Sequence, residues 1–188
     1  MRILACDDAA LDVASSVLLS GGVAVVPTDT VYGLAAHPDF PSAVSRLYSI
    51  KGRAAQKPIA LLASDAAAAE RFLGCSLLPA AADLAARFWP GPLTLVLPKG
   101  EDFEGLRVPA HDWARRLLAR CGGVLRVTSA NLSGCRPATD APAALADVGL
   151  SADLVLDDGV SPGGVPSTVV KVSPDGSVSV LRQGAAVL

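Results

Sequence analysis

The segment GGVAVVPTDTVYGL, residues 21–34, constrains the possible folds of this chain more than any other. Four apolar residues between a glycine pair and a proline predict a short buried strand over Val23–Val26. Pro27 cannot donate a hydrogen bond to a neighbouring strand, so the chain should leave the sheet there. The following loop carries hydroxyls, a carboxylate and a phenol. This loop is either a capped polar turn or part of a binding site. The second interpretation is available because ligands of open α/β sheets bind beyond the ends of the strands.

Two later segments combine a glycine pair, strand-forming residues and polar side chains in a similar way. Residues 122–131 read GGVLRVTSAN, and residues 163–168 read GGVPST at the start of another predicted strand. The glycine pairs alone are ordinary features of the loops between helices and strands. The hydroxyl and amide side chains beside all three strands are not explained in that way, and they indicate a site for a polar small molecule.

Helical and strand patterns alternate along the rest of the chain. The predicted helices cover residues 8–20, 41–52, 65–72, 79–88, 111–120 and 138–148. The expected N-terminal caps of the first three are Asp7 or Asp8, Asp39, and Ser64 or Asp65. The predicted strands cover residues 23–26, 58–63, 93–97, 106–109, 124–127 and 154–156, with a closing hairpin over 167–172 and 177–181. No linker interrupts this alternation. It predicts one α/β domain over residues 1–188, with a twisted mixed sheet, helices on its faces and a substrate groove at the strand ends.

Charge, apolar runs and cysteine spacing exclude several classes of protein. The net charge of −2 argues against a protein that binds nucleic acid with its whole surface. No apolar run approaches the roughly 20 residues that span a bilayer, and the acidic N-terminus does not resemble a signal peptide. Four scattered cysteines form no CxxC pair or zinc-ligand spacing. These features predict a cytoplasmic protein with no metal site of its own.

The densest positive segment is KGRAAQKP, with Lys51, Arg53 and Lys57 around a flexible glycine. It is either a solvated surface loop or a site that binds phosphate groups, where each charged hydrogen bond contributes roughly 1.5–3 kcal/mol. The chain has no Walker A motif, GxGxxG motif or GxSxG motif. Ser129 has no evident general base. The residues available therefore suit a reaction driven by positioning and charge neutralisation, as phosphoryl and nucleotidyl transfers are.

Five segments in this order, PTDTVYGL, KGRAAQKPIALL, FWPGPLTLVLP, VTSANLSG and STVVKV with VLRQG, closely resemble the threonylcarbamoyl-AMP synthase family and its YrdC-like fold. The resemblance covers nearly the whole chain. Within the family, the chain resembles the short, single-domain branch. It implies an enzyme that converts L-threonine, bicarbonate or CO2, and ATP into threonylcarbamoyl-adenylate and pyrophosphate. The product would pass to partner proteins that form t6A at adenosine 37 of tRNA.

The same resemblance implies two sets of ligand contacts. The ATP contacts would be Lys51, Arg53, Lys57, Ser129, Asn131 and Arg182. The threonine contacts would be Thr30, Tyr32, Arg107, Thr128 and Ser167. Lys51 and Arg53 would be the catalytic cations, and Mg²⁺ would be bound mainly through the ATP phosphates. Asp29 is a candidate for an acid beside the metal or behind the substrate contacts. Leu62 stands where longer relatives often carry a histidine near threonine, so that contact would be missing.

Three alternatives remain open at this point. A paralogous branch shares the fold, but it usually diverges at the Lys-x-Arg and Ser-x-Asn positions, which are intact here. A carbamoyl-transferring domain of this fold is normally part of a much longer protein. The third alternative is an RNA-binding module without synthase activity, which would contact tRNA directly through the basic segment Arg46–Lys57.

Overall fold

A computed structural model describes residues 2–188, whose ten strands form one mixed sheet. The strands are β1 (Arg2–Ala5), β2 (Val23–Val26), β3 (Gly33–Ala36), β4 (Leu61–Ala63), β5 (Leu93–Lys99), β6 (Asp102–Arg107), β7 (Val124–Ser129), β8 (Leu154–Asp157), β9 (Thr168–Val172) and β10 (Val178–Arg182). The helices are α1 (Asp8–Leu19), α2 (Pro41–Lys51), α3 (Ala66–Leu73), α4 (Pro79–Phe88), α5 (Asp112–Arg120) and α6 (Ala141–Asp147), with a 3-10 turn at Gly149–Ser151. The strand order is β1-β8-β2-β3-β7-β4-β6-β5-β9-β10. The predicted mixed α/β fold is confirmed.

Local capping sets the ends of several helices. The side chains of Asp7 and Asp65 accept hydrogen bonds from the backbone at the starts of α1 and α3, both at 2.7 Å, as the sequence predicts. Gly52 ends α2 in the left-handed conformation, with φ of 58°. The expectation that Asp39 caps α2 is wrong, because Phe40 occupies the cap position and makes no side-chain cap. Pro41, whose fixed φ suits a first turn, begins the helix instead.

The two halves of the sheet are covered differently. In β2, Ala24 and Val26 pack toward α1 and α5, whereas Val23 and Val25 pack on the opposite face toward α2 and α6. That half is therefore buried on both faces. Helices α3 and α4 cover one face of the half built from β4, β6, β5 and β9. The other face of this half forms the floor of a cavity.

Two strands were not predicted from the sequence. The sequence of β3 is GLAA, which has little β-propensity, yet β3 pairs antiparallel with both β2 and β7. Its Gly33 allows a close approach, because a Cβ atom there would lie 2.5 Å from Cγ1 of Val127. Strand β1 pairs parallel with β8 at the sheet edge. These strands exist because distant segments offer them partners, which local patterns cannot reveal. The predicted hairpin β9–β10 is confirmed.

Candidate active site

A cavity of about 540 Å³ lies on the open face of the sheet, within the usual size range of small-molecule sites. Its apolar floor consists of Ala60, Leu62, Val96, Val127, Val169 and Leu181. Polar side chains enter it from the ends of β2, β6 and β7, and from the start of β9. The cavity thus begins at the strand ends, as the sequence predicts, and extends over the sheet face, where no helix covers β5 and β9.

Most of the residues predicted to contact ligands line this one cavity. They are Thr30, Tyr32, Arg53, Arg107, Thr128, Ser129, Asn131, Ser167 and Arg182. Two predicted ATP contacts, Lys51 and Lys57, are not among its lining residues, and Lys57 is exposed. The structure therefore brings the two predicted ends of the site together across one cavity, with Arg53 as the member of the basic segment that reaches it.

Lys51 is the last residue of α2, and it is only 2% exposed. Its ammonium group donates hydrogen bonds to the backbone carbonyls of Ser129 and Asn131, and lies 3.4 Å from Oδ1 of Asn131. Burial, and secondly the positive charge of Arg53, lower the pKa of Lys51 to about 8, so the ammonium form predominates at neutral pH. Lys51 thereby fixes the turn that follows β7. Its contact with ATP phosphates stays a prediction.

The turn after β7 is held by further hydrogen bonds. The backbone N–H of Ser133 donates to the carbonyl of Lys51 at 2.9 Å. The side-chain amide of Asn131 donates to the carbonyls of Leu132 and Cys135, at 2.8 and 2.9 Å. Asn131 therefore shapes the cavity wall through several of its own polar atoms. Ser129 and Asn131 are the predicted nucleotide contacts in this turn, and Lys51 at the end of α2 holds the turn in its conformation.

Two guanidinium groups give the cavity its positive side. Arg53 donates to the carbonyls of Lys57 and Pro58 at 2.9 and 3.0 Å, which folds the basic segment into a tight loop. Arg182, at the end of β10, donates from Nη2 to the carbonyl of Ser167 at 2.7 Å. Burial, and secondly the charge of Arg53, lower the pKa of Arg182. Because these like charges face one cavity, an anionic ligand would relieve their mutual repulsion.

Arg107 also lines the cavity and is buried, with its side chain 7% exposed. Its Nη1 donates to Oγ1 of Thr30 at 2.8 Å, its Nε donates to the carbonyl of Gly91 at 2.9 Å, and its Nη2 forms an ion pair with Asp29. Desolvation lowers the pKa of Arg107, whereas Asp29 opposes that shift. Asp29 is not among the lining residues, so it acts on Arg107 from behind the cavity wall.

The hydroxyls that line the cavity make further hydrogen bonds. Oγ1 of Thr28 lies 3.1 Å from Oγ1 of Thr30, and the hydroxyl of Ser167 lies 2.8 Å from that of Thr94. Tyr32 donates from its hydroxyl to the carbonyl of Gly159 at 2.7 Å, and burial raises its pKa to about 12. Thr28 and Thr94 line the cavity but were not predicted as contacts. A threonine within the otherwise apolar LTLVL pattern was the available signal for Thr94.

Within residues 2–188, no helix is both long enough and apolar enough to cross a membrane. In the same residues, no group of three or more histidine, cysteine, aspartate or glutamate side chains is arranged to hold a metal ion.

The sequence matches one family model and is similar to several curated proteins. The Sua5/YciO/YrdC family model, described as telomere recombination, matches residues 16–184. A threonylcarbamoyl-AMP synthase from Pyrococcus abyssi is 34% identical over 86% of this chain and 50% of its own length. One from Bacillus subtilis is 33% identical over 96% of this chain and 55% of its own length. The chain spans about half the length of these curated relatives.

Solved structures are similar over almost the entire chain. The crystal structure of P. abyssi Sua5 complexed with L-threonine superimposes with a TM-score of 0.88 and 32% identity, covering 98% of this chain and 58% of that one. The crystal structure of E. coli YciO has a TM-score of 0.83 at 24% identity, covering 97% of this chain and 94% of that one. At that identity, the second likeness concerns the fold alone.

Proposed function

The chain belongs to the Sua5/YciO/YrdC family, and from that premise we propose that it is an L-threonylcarbamoyladenylate synthase. The reaction joins L-threonine, bicarbonate or CO2, and ATP into threonylcarbamoyl-AMP and pyrophosphate. The observation that carries this proposal is the single cavity that is lined by the guanidinium groups of Arg53 and Arg182, by several hydroxyls and by the buried Arg107. Such a cavity suits a reaction between a polyanion and a small zwitterion.

At the nucleotide side, Arg53 and Arg182 would bind the phosphates, and Ser129 and Asn131 would contact the rest of the nucleotide. Lys51 would contribute mainly by holding the turn that carries those two residues. No carboxylate occurs among the described lining residues. A magnesium ion that accompanies ATP would therefore take its oxygen ligands from the phosphates and from water, and would neutralise phosphate charge there.

At the amino-acid side, Arg107 is the candidate partner for the threonine carboxylate. Three of its N–H groups are engaged by Gly91, Thr30 and Asp29, and a guanidinium has five such groups, so two remain for a substrate. Thr30, Thr128 and Ser167 would contact the rest of the amino acid. Tyr32 would support this end from behind, because its hydroxyl bonds to the loop after β8.

The chemistry then follows from positioning and charge. The neutral threonine amine attacks the carbon of CO2, forms a C–N bond and loses one proton to solvent, which gives a carbamate. A carbamate oxygen attacks the α-phosphorus of ATP while the bond to the pyrophosphate oxygen breaks. Arg53 and Arg182 stabilise the charge that develops on the phosphates. The walls of the cavity keep water from a carbamate that hydrolyses easily.

The wider role of the reaction is part of the same proposal. The product would pass to proteins that complete t6A on tRNA, in the cytoplasm, and direct tRNA contact would be secondary. An RNA-binding module is the weaker alternative, because Arg46 is bound by Asp153 at 2.8 Å and Lys51 is buried. The basic segment therefore presents fewer free charges than its sequence indicates.

Pyrophosphate release tests the proposal directly. Purified protein with ATP and Mg²⁺ should release pyrophosphate only when both threonine and bicarbonate are present. Arg53→Ala should lower the rate, whereas Lys57→Ala, an exposed cation in the same segment, should change it little. Release that continues at the same rate without threonine would refute the proposed function.

A further inference from the structure

The loop between β8 and β9 packs on the loop that follows β2, and on Tyr32, through residues that do not themselves line the cavity. The hydroxyl of Ser161 is buried and donates to the carbonyl of Thr28 at 2.9 Å. The backbone N–H of Gly163 donates to the carbonyl of Asp29 at 3.0 Å. The hydroxyl of Tyr32 reaches the same loop at the carbonyl of Gly159. The β8–β9 loop therefore holds the amino-acid end of the cavity in place.

Gly163 is required by close approach. A Cβ atom at this position would lie 2.7 Å from the carbonyl oxygen of Asp29 and 3.2 Å from Cα of Thr30. Both neighbours are backbone atoms, so the β2 loop itself would have to move. The next residue, Gly164, is the opposite case. Its φ of 62° favours glycine, but a Cβ atom there would have no neighbour within 4 Å.

Asp29 links the contact with Gly163 to Arg107 in the cavity. Its carbonyl is bound by Gly163, while its carboxylate, with only 10% of the side chain exposed, pairs with Arg107. Arg107 in turn bonds to the hydroxyl of Thr30 at 2.8 Å. A displacement of the Asp29 backbone would therefore move the guanidinium and the hydroxyl that face the ligand. Asp29 itself would remain outside the lining.

We propose that Gly163 and Asp29 are positioning residues that set the affinity of this site for its amino acid by fixing the orientation of Arg107. Neither residue needs to touch the substrate. The inference rests on the proposed function, since it takes Arg107 and Thr30 as the amino-acid contacts. It assigns part of the affinity for the amino acid to two residues that do not line the cavity.

The neighbouring glycines supply a matched pair of variants. Gly163→Ala should raise the KM for threonine about ten- to a hundredfold, because displacements near 1 Å have effects of that size. The KM for ATP should change less than about twofold, because Arg53 is held within its own segment by the carbonyls of Lys57 and Pro58. Gly164→Ala strains the backbone without pressing on Asp29, so it should lower Tm while leaving both KM values near those of the wild type.

Asp29→Asn is the second variant, and it keeps the inference testable if Gly163→Ala does not fold. It preserves shape but removes the charge that orients Arg107, so the threonine KM should again rise selectively. An unchanged threonine KM in the folded variants, or equal rises in both KM values, would overturn the inference alone. Wild-type protein that releases no threonine-dependent pyrophosphate would overturn the proposed function and this inference together.

Discussion

Replacing Lys51 by methionine separates a structural role of this residue from a ligand-binding one. Methionine has a similar length and volume but no hydrogen to donate. In the structure, the ammonium group is bound by the carbonyls of Ser129 and Asn131 and is shielded from solvent. The substitution would therefore leave these two acceptors without their charged donor. A residue whose main partner was ATP would show no such effect on the free protein.

The magnitude follows from those two acceptors. An unsatisfied buried polar group costs about 1–3 kcal/mol, and the carbonyl of Ser129 keeps one other bond, from the backbone N–H of Asn131. Removing the ammonium also removes its own desolvation penalty, which offsets part of the loss. We therefore expect Lys51→Met to lower the free energy of unfolding by about 1–4 kcal/mol in the absence of ligands.

Urea unfolding measures this difference, because the free energy of unfolding varies linearly with urea concentration. Lys57→Met is the matched control, since Lys57 lies in the same basic segment but is exposed. It should stay within about 0.5 kcal/mol of the wild type. If the two variants were equally stable, and Lys51→Met lost only nucleotide affinity, the structural role argued for Lys51 would be refuted.

Three further outcomes are expected. Arg53→Ala should weaken ATP binding in calorimetry by about tenfold or more, since charged hydrogen bonds are worth about 1.5–3 kcal/mol, and unchanged affinity would contradict its phosphate role. Asp153→Asn should weaken the pH dependence of unfolding in acid. The hydrogen bond from Arg46 lowers the pKa of Asp153, so this carboxylate stabilises the folded protein above about pH 4, and the stabilisation is lost as the pH falls through the lowered pKa. Because Asp153 is 43% exposed, this contribution should be at most about 1 kcal/mol, as the difference between urea titrations at pH 7 and pH 3 would show. Gly33→Ala should cost about 1–3 kcal/mol in thermal unfolding through its contact with Val127, and a wild-type Tm would count against that close approach.

Much of the local structure could be predicted because its causes lie within a few residues. The caps at Asp7 and Asp65 and the turn of the hairpin β9–β10 depend on side chains next to the backbone that they satisfy. Helix α4 begins at Pro79, whose fixed φ suits a first turn. Strand β3 escaped prediction because GLAA has no strand pattern of its own. Its conformation comes from hydrogen bonds on both sides to β2 and β7, which lie far apart in sequence.

The candidate site also has features that the sequence predicts and features that depend on the fold. The residue types and their order along the chain are enough to predict polar side chains beside the strand ends, and hence the family and the kind of ligand. The position of each charge, in contrast, depends on the folded sheet. It buries Lys51 against the turn after β7, directs Arg53 to the cavity, and pairs Asp29 with Arg107, which follows it by 78 positions. The physical reason is that a side chain's partner depends on which distant strands become neighbours, and that order is set by packing of the whole sheet.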